Sequence, residues 1–60
     1  MPKKKIREIA ARYGYHRLRN YRQWDDVHFS ADVNGVVIVV NISSEELFER
    51  NPFTKKLVKK

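Results

Sequence analysis

The clearest pattern in the chain is an alternation of apolar and polar residues on both sides of one short turn. Residues 27–33 read VHFSADV, in which every second residue is apolar, as in a half-buried strand. Asn34-Gly35 follows, and this pair tolerates the positive φ angles of a type I′ turn. Residues 36–42, VVIVVNI, are rich in β-branched side chains, which favour a strand. The two-residue loop fixes the register and predicts four facing apolar pairs on one side of a hairpin, namely Val33 with Val36, Ala31 with Ile38, Phe29 with Val40 and Val27 with Ile42.

The other face of this hairpin mixes polar and apolar positions, which are His28, Ser30, Asp32, Val37, Val39 and Asn41. In a simple two-layer domain, Val37 and Val39 would be exposed to water. We therefore expect this face to be covered, either by side chains of another strand or by a second copy of the chain.

Helical periodicity marks the N-terminal segment. One stripe, at the spacing i, i+3, i+4 and i+7, consists of Ile6, Ile9, Ala10 and Tyr13. Gly14 follows the stripe, at a position where helices often end in the left-handed conformation. The three lysines at residues 3–5 lie at the helix start, where the helix dipole disfavours cations. Their placement suggests a role other than helix stability.

A second helix is predicted after the hairpin. Ser43 and Glu46 have the S-x-x-E spacing of a capping box, in which each side chain satisfies a free amide of the first helical turn. Leu47 and Phe48 would be its buried residues. Pro52 disfavours helical geometry at the residue before it, so this helix is expected to end near residue 50.

Residues 15–24, YHRLRNYRQW, fit two interpretations. In a helix, Leu18, Tyr21 and Trp24 would recur on one side. In a strand, alternate residues from Tyr15 to Gln23 would share one face. The aromatic residues and the absence of alanine and glutamate favour the strand.

The predicted fold is therefore a small α+β domain, residues 1–60, of the order α-β-β-β-α. It has an antiparallel sheet, with the hairpin turn at Asn34-Gly35, and helices packed on one face. The helical interpretation of residues 15–24 gives α-α-β-β-α instead. The basic ends, residues 1–5 and 55–60, are the segments in which the sequence allows disorder.

Charge is the strongest compositional feature, because the net charge of +6 is unevenly distributed. Residues 1–22 carry +7, from eight lysines and arginines against Glu8. Residues 23–54 carry −5, from Arg50 against six acidic residues, and residues 55–60 carry +4. Such basic segments favour a polyanionic partner, most often nucleic acid.

Location follows from what the sequence lacks. There is no cysteine, no apolar run near the roughly 20 residues that cross a membrane, and no apolar core of a secretory signal at the N-terminus. We therefore expect a cytoplasmic protein without disulfides.

The predicted nucleic-acid-binding residues combine cations that hold phosphates with flat side chains that stack on bases. They are Lys3, Lys4, Lys5, Arg7, Arg12, Tyr15, His16, Arg17, Arg19, Tyr21 and Arg22. Trp24, the single tryptophan, is expected in the core instead.

The first half of residues 6–24, IREIAARYGYHRLRNYRQW, is similar to a helix-turn-helix motif. This resemblance implies DNA binding. Ile9-Ala10 and Gly14 fall where that family has its apolar pair and turn glycine. The family's second helix brings an aliphatic residue near position 20, where this chain has Asn20. Double-stranded-RNA-binding domains share the predicted α-β-β-β-α order, but their glycine and lysine signature near the second helix is missing here.

Catalysis is poorly supported by the sequence. Asp25, Asp26 and His28 could hold a divalent ion or transfer protons, but a polar turn followed by an exposed strand residue explains them more simply. We therefore predict no enzymatic activity, cofactor, metal or small-molecule substrate, and we expect a small nucleic-acid-binding module, for DNA or RNA. The alternative is a protein-interaction or regulatory module that forms homodimers through its sheet.

Overall fold

A computed structural model describes all 60 residues, which form one helix and one five-stranded antiparallel sheet. The helix, α1, spans Lys3–Arg12. The strands are β1 (Arg19–Gln23), β2 (His28–Val33), β3 (Val36–Asn41), β4 (Glu46–Arg50) and β5 (Leu57–Lys59). Each strand pairs with the next one along the chain, so the sheet is a meander. We call the face under α1 the inner face and the opposite face the outer face.

The predicted α-β-β-β-α fold is wrong. The chain has one helix rather than two, and the sheet has five strands rather than three. The segment predicted as the second helix is β4, and the basic C-terminal residues supply β5. The second helix of a helix-turn-helix motif is absent as well, because residues 19–23 form β1.

The β2–β3 hairpin is confirmed in its turn and its register. Val33 faces Val36, and the other strand pairs follow as predicted, with Ala31 opposite Ile38 and Phe29 opposite Val40. Asn34 and Gly35 have φ angles of 50° and 80°, the positive values that a type I′ turn requires. Local sequence is sufficient here because the turn and the alternation specify the same register.

The predicted second helix is wrong, and another side chain takes the Ser43 amide that Glu46 would have bound in a capping box. The Asn41 side-chain oxygen accepts hydrogen bonds from the backbone N–H groups of Ser43 (2.9 Å) and Ser44 (3.1 Å), which closes a turn after β3. Glu45 then adopts a φ of 60°, which is incompatible with a continuing helix. Leu47 and Phe48 consequently lie on opposite faces of a strand.

The core lies between α1 and the inner face. The predicted helical stripe is confirmed at Ile6, Ile9 and Ala10, which are fully buried, whereas Tyr13 is 39% exposed after the helix end. The sheet contributes the buried side chains of Phe29, Ala31, Val33, Ile38, Val40 and Leu47. One helix and one sheet face therefore supply the main apolar cluster of this small chain.

The strand interpretation of residues 15–24 is confirmed for Arg19–Gln23, but strict alternation is interrupted by a bulge. Arg19 faces Asp32 and Arg22 faces Ser30, so two residues of β1 lie opposite one residue of β2. Asn20, in the bulge, has a φ of 52°. The extra residue allows Leu18 and Tyr21 to pack against the core while Arg19 and Arg22 pair with positions of the outer face.

Candidate nucleic-acid interface

The outer face has a packed central row although no helix covers it. The strand register places five side chains side by side across the sheet, namely Arg22, Ser30, Val39, Phe48 and Lys59. Val39 is fully buried and Ser30 is 5% exposed, whereas Val37 is half-buried. Side chains of the same chain therefore bury one of the two valines that the sequence left without a cover.

Trp24 covers part of this face from the end of β1. Its backbone N–H donates to the His28 carbonyl oxygen at 2.9 Å, which begins the short connection to β2. Its indole N–H donates to Ser30 Oγ at 3.0 Å, which fixes the side chain over the outer face. The side chain is 51% exposed, so the prediction that Trp24 belongs to the core is wrong. Because the polar N–H is already satisfied, what remains for a partner is mostly apolar ring surface.

A shallow hollow of about 270 Å³ lies beside the tryptophan, and we call it the outer groove. Its lining includes Arg22 and Trp24 from the β1 side, Arg50 from β4, and Ser30, Asp32 and Val37 between them. Asp32 is the single carboxylate in the groove, and it accepts a hydrogen bond from the Asn20 side-chain amide at 2.9 Å. The groove thus combines two apolar side chains, Trp24 and Val37, with polar ones, and it has one guanidinium group on its β1 side and one on its β4 side.

Two further hollows adjoin the outer groove and share lining residues with it. One, of about 380 Å³, includes Arg17 and Arg19 and shares Asn20 and Asp32 with the groove. The other, of about 310 Å³, includes Lys55 and shares Val37 and Arg50. We call the cations that line the three hollows the basic band, which consists of Arg17, Arg19, Arg22, Arg50 and Lys55.

Ion pairs neutralise four of the cations that lie outside the basic band. Glu45, in the turn before β4, bonds to Lys5 at 3.1 Å and also to Arg12, so it ties both ends of α1 to the sheet. Two other glutamates pair with the C-terminal lysines: Glu46 with Lys59 at 2.6 Å, and Glu49 with Lys60 at 3.1 Å. The acidic middle of the sequence therefore meets the basic ends within one chain.

The pKa values of the paired groups shift in the directions that these contacts require. The side-chain hydrogen bond from Arg12, followed by that from Lys5, lowers the pKa of Glu45. The pKa of Glu49 is lowered chiefly by the hydrogen bond from the Tyr15 hydroxyl, which donates to the carboxylate at 2.6 Å. The same bond, with burial as the second cause, raises the pKa of Tyr15. These carboxylates are therefore ionised at neutral pH and committed to partners in the chain.

Most of the cations remain free. Four of the 13 lysine and arginine side chains pair with glutamates, which leaves nine without an ion pair. These nine are the five members of the basic band together with Lys3, Lys4, Arg7 and Lys56. Only three acidic residues, Glu8, Asp26 and Asp32, are likewise unpaired. Five of the nine unpaired cations therefore lie in the basic band, and three of the other four lie on α1.

The structure divides the predicted binding residues between two sides of the molecule. Helix α1 carries Lys3, Lys4, Lys5, Arg7 and Arg12. Of these, Lys5 and Arg12 bind Glu45, and the Lys3 ammonium lies 5.2 Å from the centre of the Tyr21 ring. By contrast, Arg17, Arg19 and Arg22 come together in the basic band.

The predicted aromatic and histidine positions lie apart from the outer groove. Tyr15 and Tyr21 are half-buried and pack against the core, and the Tyr15 hydroxyl is used by Glu49. His16 is exposed in the connection before β1, where it lines a separate hollow of about 450 Å³ with Tyr15 and Arg17. The two tyrosine rings thus offer less free surface for stacking than the sequence suggested.

Sequence reasoning missed Trp24, Arg50 and Lys55 as members of this surface. A signal for Trp24 was present, since strand alternation places it on the same face as Arg22. Arg50 could not be found in that way, because its position next to Val37 depends on β4 being a strand. The sequence analysis assigned Arg50 to the end of a helix, and that assignment gave no reason to place it in one groove with Arg22, 28 positions earlier.

The Asp25 and His28 pair serves a turn. Asp25 accepts hydrogen bonds from the backbone N–H groups of Val27 (2.9 Å) and His28 (2.7 Å), which are the two largest causes of its lowered pKa. The His28 Nδ1 atom lies 2.9 Å from the same carboxylate. No group of three or more histidine or acidic side chains is placed to hold a metal ion.

No protein family matches the chain, and no curated protein or solved structure is significantly similar to it. None of its helical segments combines the length and apolar character needed to cross a membrane.

Proposed function

We propose that the protein is a small nucleic-acid-binding module whose contact surface is the outer face. The observation that carries the proposal is the basic band itself. Five cations without ion pairs line three adjoining hollows around an exposed tryptophan, and the single carboxylate among them is Asp32. Free arginines suit this task because a guanidinium group binds phosphate oxygens through two parallel hydrogen bonds.

The internal ion pairs support the same assignment. Glu45, Glu46 and Glu49 neutralise two cations of α1 and the last two lysines of the chain, whereas no cation of the basic band has such a partner. Five of the nine unpaired cations lie together in the basic band, and such a concentration of positive charge favours the approach of a polyanion there. Each phosphate bound there releases counterions, so the affinity should fall steeply with salt.

The experiment compares two double variants that lose the same charge. Arg22→Ala with Arg50→Ala removes the guanidinium groups of the outer groove, whereas Lys4→Ala with Lys5→Ala removes two cations from α1. Binding of fluorescently labelled single-stranded and duplex oligonucleotides is followed by anisotropy between about 50 and 200 mM salt. We expect the groove variant to weaken binding by about tenfold and to reduce the salt slope by about 1.5, since two phosphate contacts are lost.

The helix variant is expected to stay near the wild-type affinity. Equal losses in the two variants would show that net charge alone matters and would contradict the assignment to the outer face. Salt-insensitive binding, or no binding to any DNA or RNA, would contradict the nucleic-acid function as a whole.

Homodimerisation through the sheet is the alternative function, and the structure weakens two of its motives. Val39 is buried within the chain, and the opposite charges that suggested pairing between copies meet intramolecularly. Light scattering at increasing protein concentration tests the alternative. A dimer that loses its nucleic-acid affinity on dissociation would favour a combined function, and a monomer that binds would favour the proposed one alone.

A further inference from the structure

The outer groove brings an exposed ring and two cations without ion pairs into the lining of one hollow. Trp24 is held by its hydrogen bond to Ser30 Oγ, so its exposed half is presented at little further cost in side-chain entropy. Val37 lies beside it and adds apolar surface, while Arg22 and Arg50 line the same groove from β1 and β4. A partner that fills the groove must therefore present a flat apolar group next to negative charge.

Nucleotides in a single strand meet this requirement. Their bases are not locked in pairs, so a base can stack on an indole while the phosphates beside it meet arginines. Stacking of this kind tolerates any sequence because every base has a π-face. In a duplex the same faces are hidden by neighbouring base pairs, and only base edges reach the grooves.

The dimensions of the sheet also disfavour a duplex. Adjacent strands are about 4.8 Å apart, so the part of the basic band that lies on strands, from Arg19 and Arg22 of β1 to Arg50 of β4, extends over roughly 14 Å. The major groove of B-DNA is about 12 Å wide and admits a helix or a two-stranded ribbon rather than the face of a wider sheet. A duplex would touch the band through its backbone alone and leave Trp24 without a base.

We infer that the outer face binds single-stranded nucleic acid, with one base stacked on Trp24 and the adjoining phosphates held by Arg22 and Arg50. This inference rests on the proposed function and names its substrate class. Contacts to the backbone and a π-face carry no base code, so the binding is expected to depend little on sequence.

The single tryptophan makes the test direct, because fluorescence excited at the long-wavelength edge of tryptophan absorption, where the three tyrosines absorb little, reports Trp24 alone. Unlabelled 12-nucleotide oligothymidylate, 12-nucleotide oligouridylate, a 12-base-pair mixed duplex and inorganic polyphosphate are each titrated into the protein at the same salt concentration. We expect both single strands to bind tightly and to quench the Trp24 fluorescence. The ratio of their two affinities then shows whether the protein prefers DNA or RNA. The duplex and polyphosphate, which offer charge without a free base, are expected to bind at least tenfold more weakly and to quench little.

Variants separate stacking from charge. Trp24→Ala should weaken binding of oligothymidylate about tenfold, and Trp24→Phe should retain most of the affinity because it keeps an aromatic ring. Phe53→Ala is the matched control, since Phe53 is 92% exposed but does not line the groove. If Trp24→Ala fails to fold, the wild-type quenching decides the question.

Different results would contradict the single-strand inference and the nucleic-acid function. Duplex binding that equals or exceeds single-strand binding, without quenching of Trp24, would overturn the single-strand inference and leave the nucleic-acid function standing. An absence of binding to all four probes would overturn both.

Discussion

The inner and outer faces of the sheet are built from the same five strands but differ in what their side chains do. The inner face is apolar, is covered by α1, and is flanked by cations that Glu45 and Glu49 neutralise. The outer face has no covering element, and it exposes Trp24 among arginines that have no ion pair. Folding needs one buried face in a chain of this size, and the comparison shows that the other face is free to carry charge and an exposed ring.

The largest expected difference between the faces concerns stability. Ile38 is fully buried on the inner face, so Ile38→Ala should lower the free energy of unfolding by about 3–4 kcal/mol. Its neighbour Val37 is half-buried on the outer face, and Val37→Ala should cost about 1 kcal/mol or less. Urea denaturation followed by circular dichroism measures both values.

A domain of 60 residues has only about 3–9 kcal/mol of stability in total, so Ile38→Ala could remain unfolded. Ile38→Val, expected to cost about 1 kcal/mol, then provides the measurable comparison. Equal losses at positions 37 and 38 would mean that the two faces are buried alike, which would remove the distinction between them.

The second expected effect concerns the glutamates that neutralise the cations. The pKa values of Glu45, Glu46 and Glu49 lie below their ordinary value of 4.5 because of hydrogen bonds from Arg12, Lys59 and Tyr15, respectively. A carboxylate whose pKa is lower in the folded state contributes stability that is complete above the unfolded pKa and is lost as pH falls through the folded pKa. The melting temperature should therefore decrease as pH falls below about 4.5.

Glu45→Gln should flatten this acid limb, because it removes the carboxylate that Lys5 and Arg12 share. Thermal melts of the wild type and the variant between about pH 7 and pH 3 make the comparison. Stability that increases towards low pH would contradict the ion pairs, since the three glutamates would then hold their protons more tightly in the folded state.

The smallest expected effect concerns Asp32, the single carboxylate of the basic band. Asp32→Asn removes its repulsion of phosphate, and the Asn20 side chain can still hydrogen-bond to the new amide. Binding to an oligonucleotide should tighten about twofold. Glu8→Gln, an equal change of charge on α1, is the control and should leave the affinity unchanged. A weaker affinity after Asp32→Asn would indicate that Asp32 itself takes part in binding.

The elements that sequence predicted correctly are those specified by neighbouring residues. The β2–β3 hairpin has its turn residues and its alternation within 16 positions, 27–42, and the buried stripe of α1 repeats within one helix. The segment from Ser43 to Arg50 satisfied a local helix signal equally well, and the Asn41 side chain decided against it. The local signal for a helix at Ser43 thus conflicted with the local signal for a turn at Asn41. The turn leads into β4, which pairs with β3.

Only the part of the candidate surface that comes from neighbouring residues was predicted from the sequence. Three arginines of the basic band, Arg17, Arg19 and Arg22, are near one another in sequence and were identified together. Arg50 and Lys55 join them only through the pairing of β3 with β4, which no short-range pattern announces. The pairing of Lys5 and Arg12 with Glu45, across 40 and 33 positions, was beyond sequence for the same reason.

Side-chain nuclear magnetic resonance of the isotope-labelled protein decides most directly which face meets the nucleic acid. Oligothymidylate is added, and the resonances of the Trp24 indole N–H and of the Arg22 and Arg50 Nε–H groups are followed against the backbone amides of α1. We expect the three outer-face resonances to shift in proportion to bound oligonucleotide while the α1 amides stay in place. Shifts confined to α1, with Trp24 unchanged, would contradict the assignment of binding to the outer face.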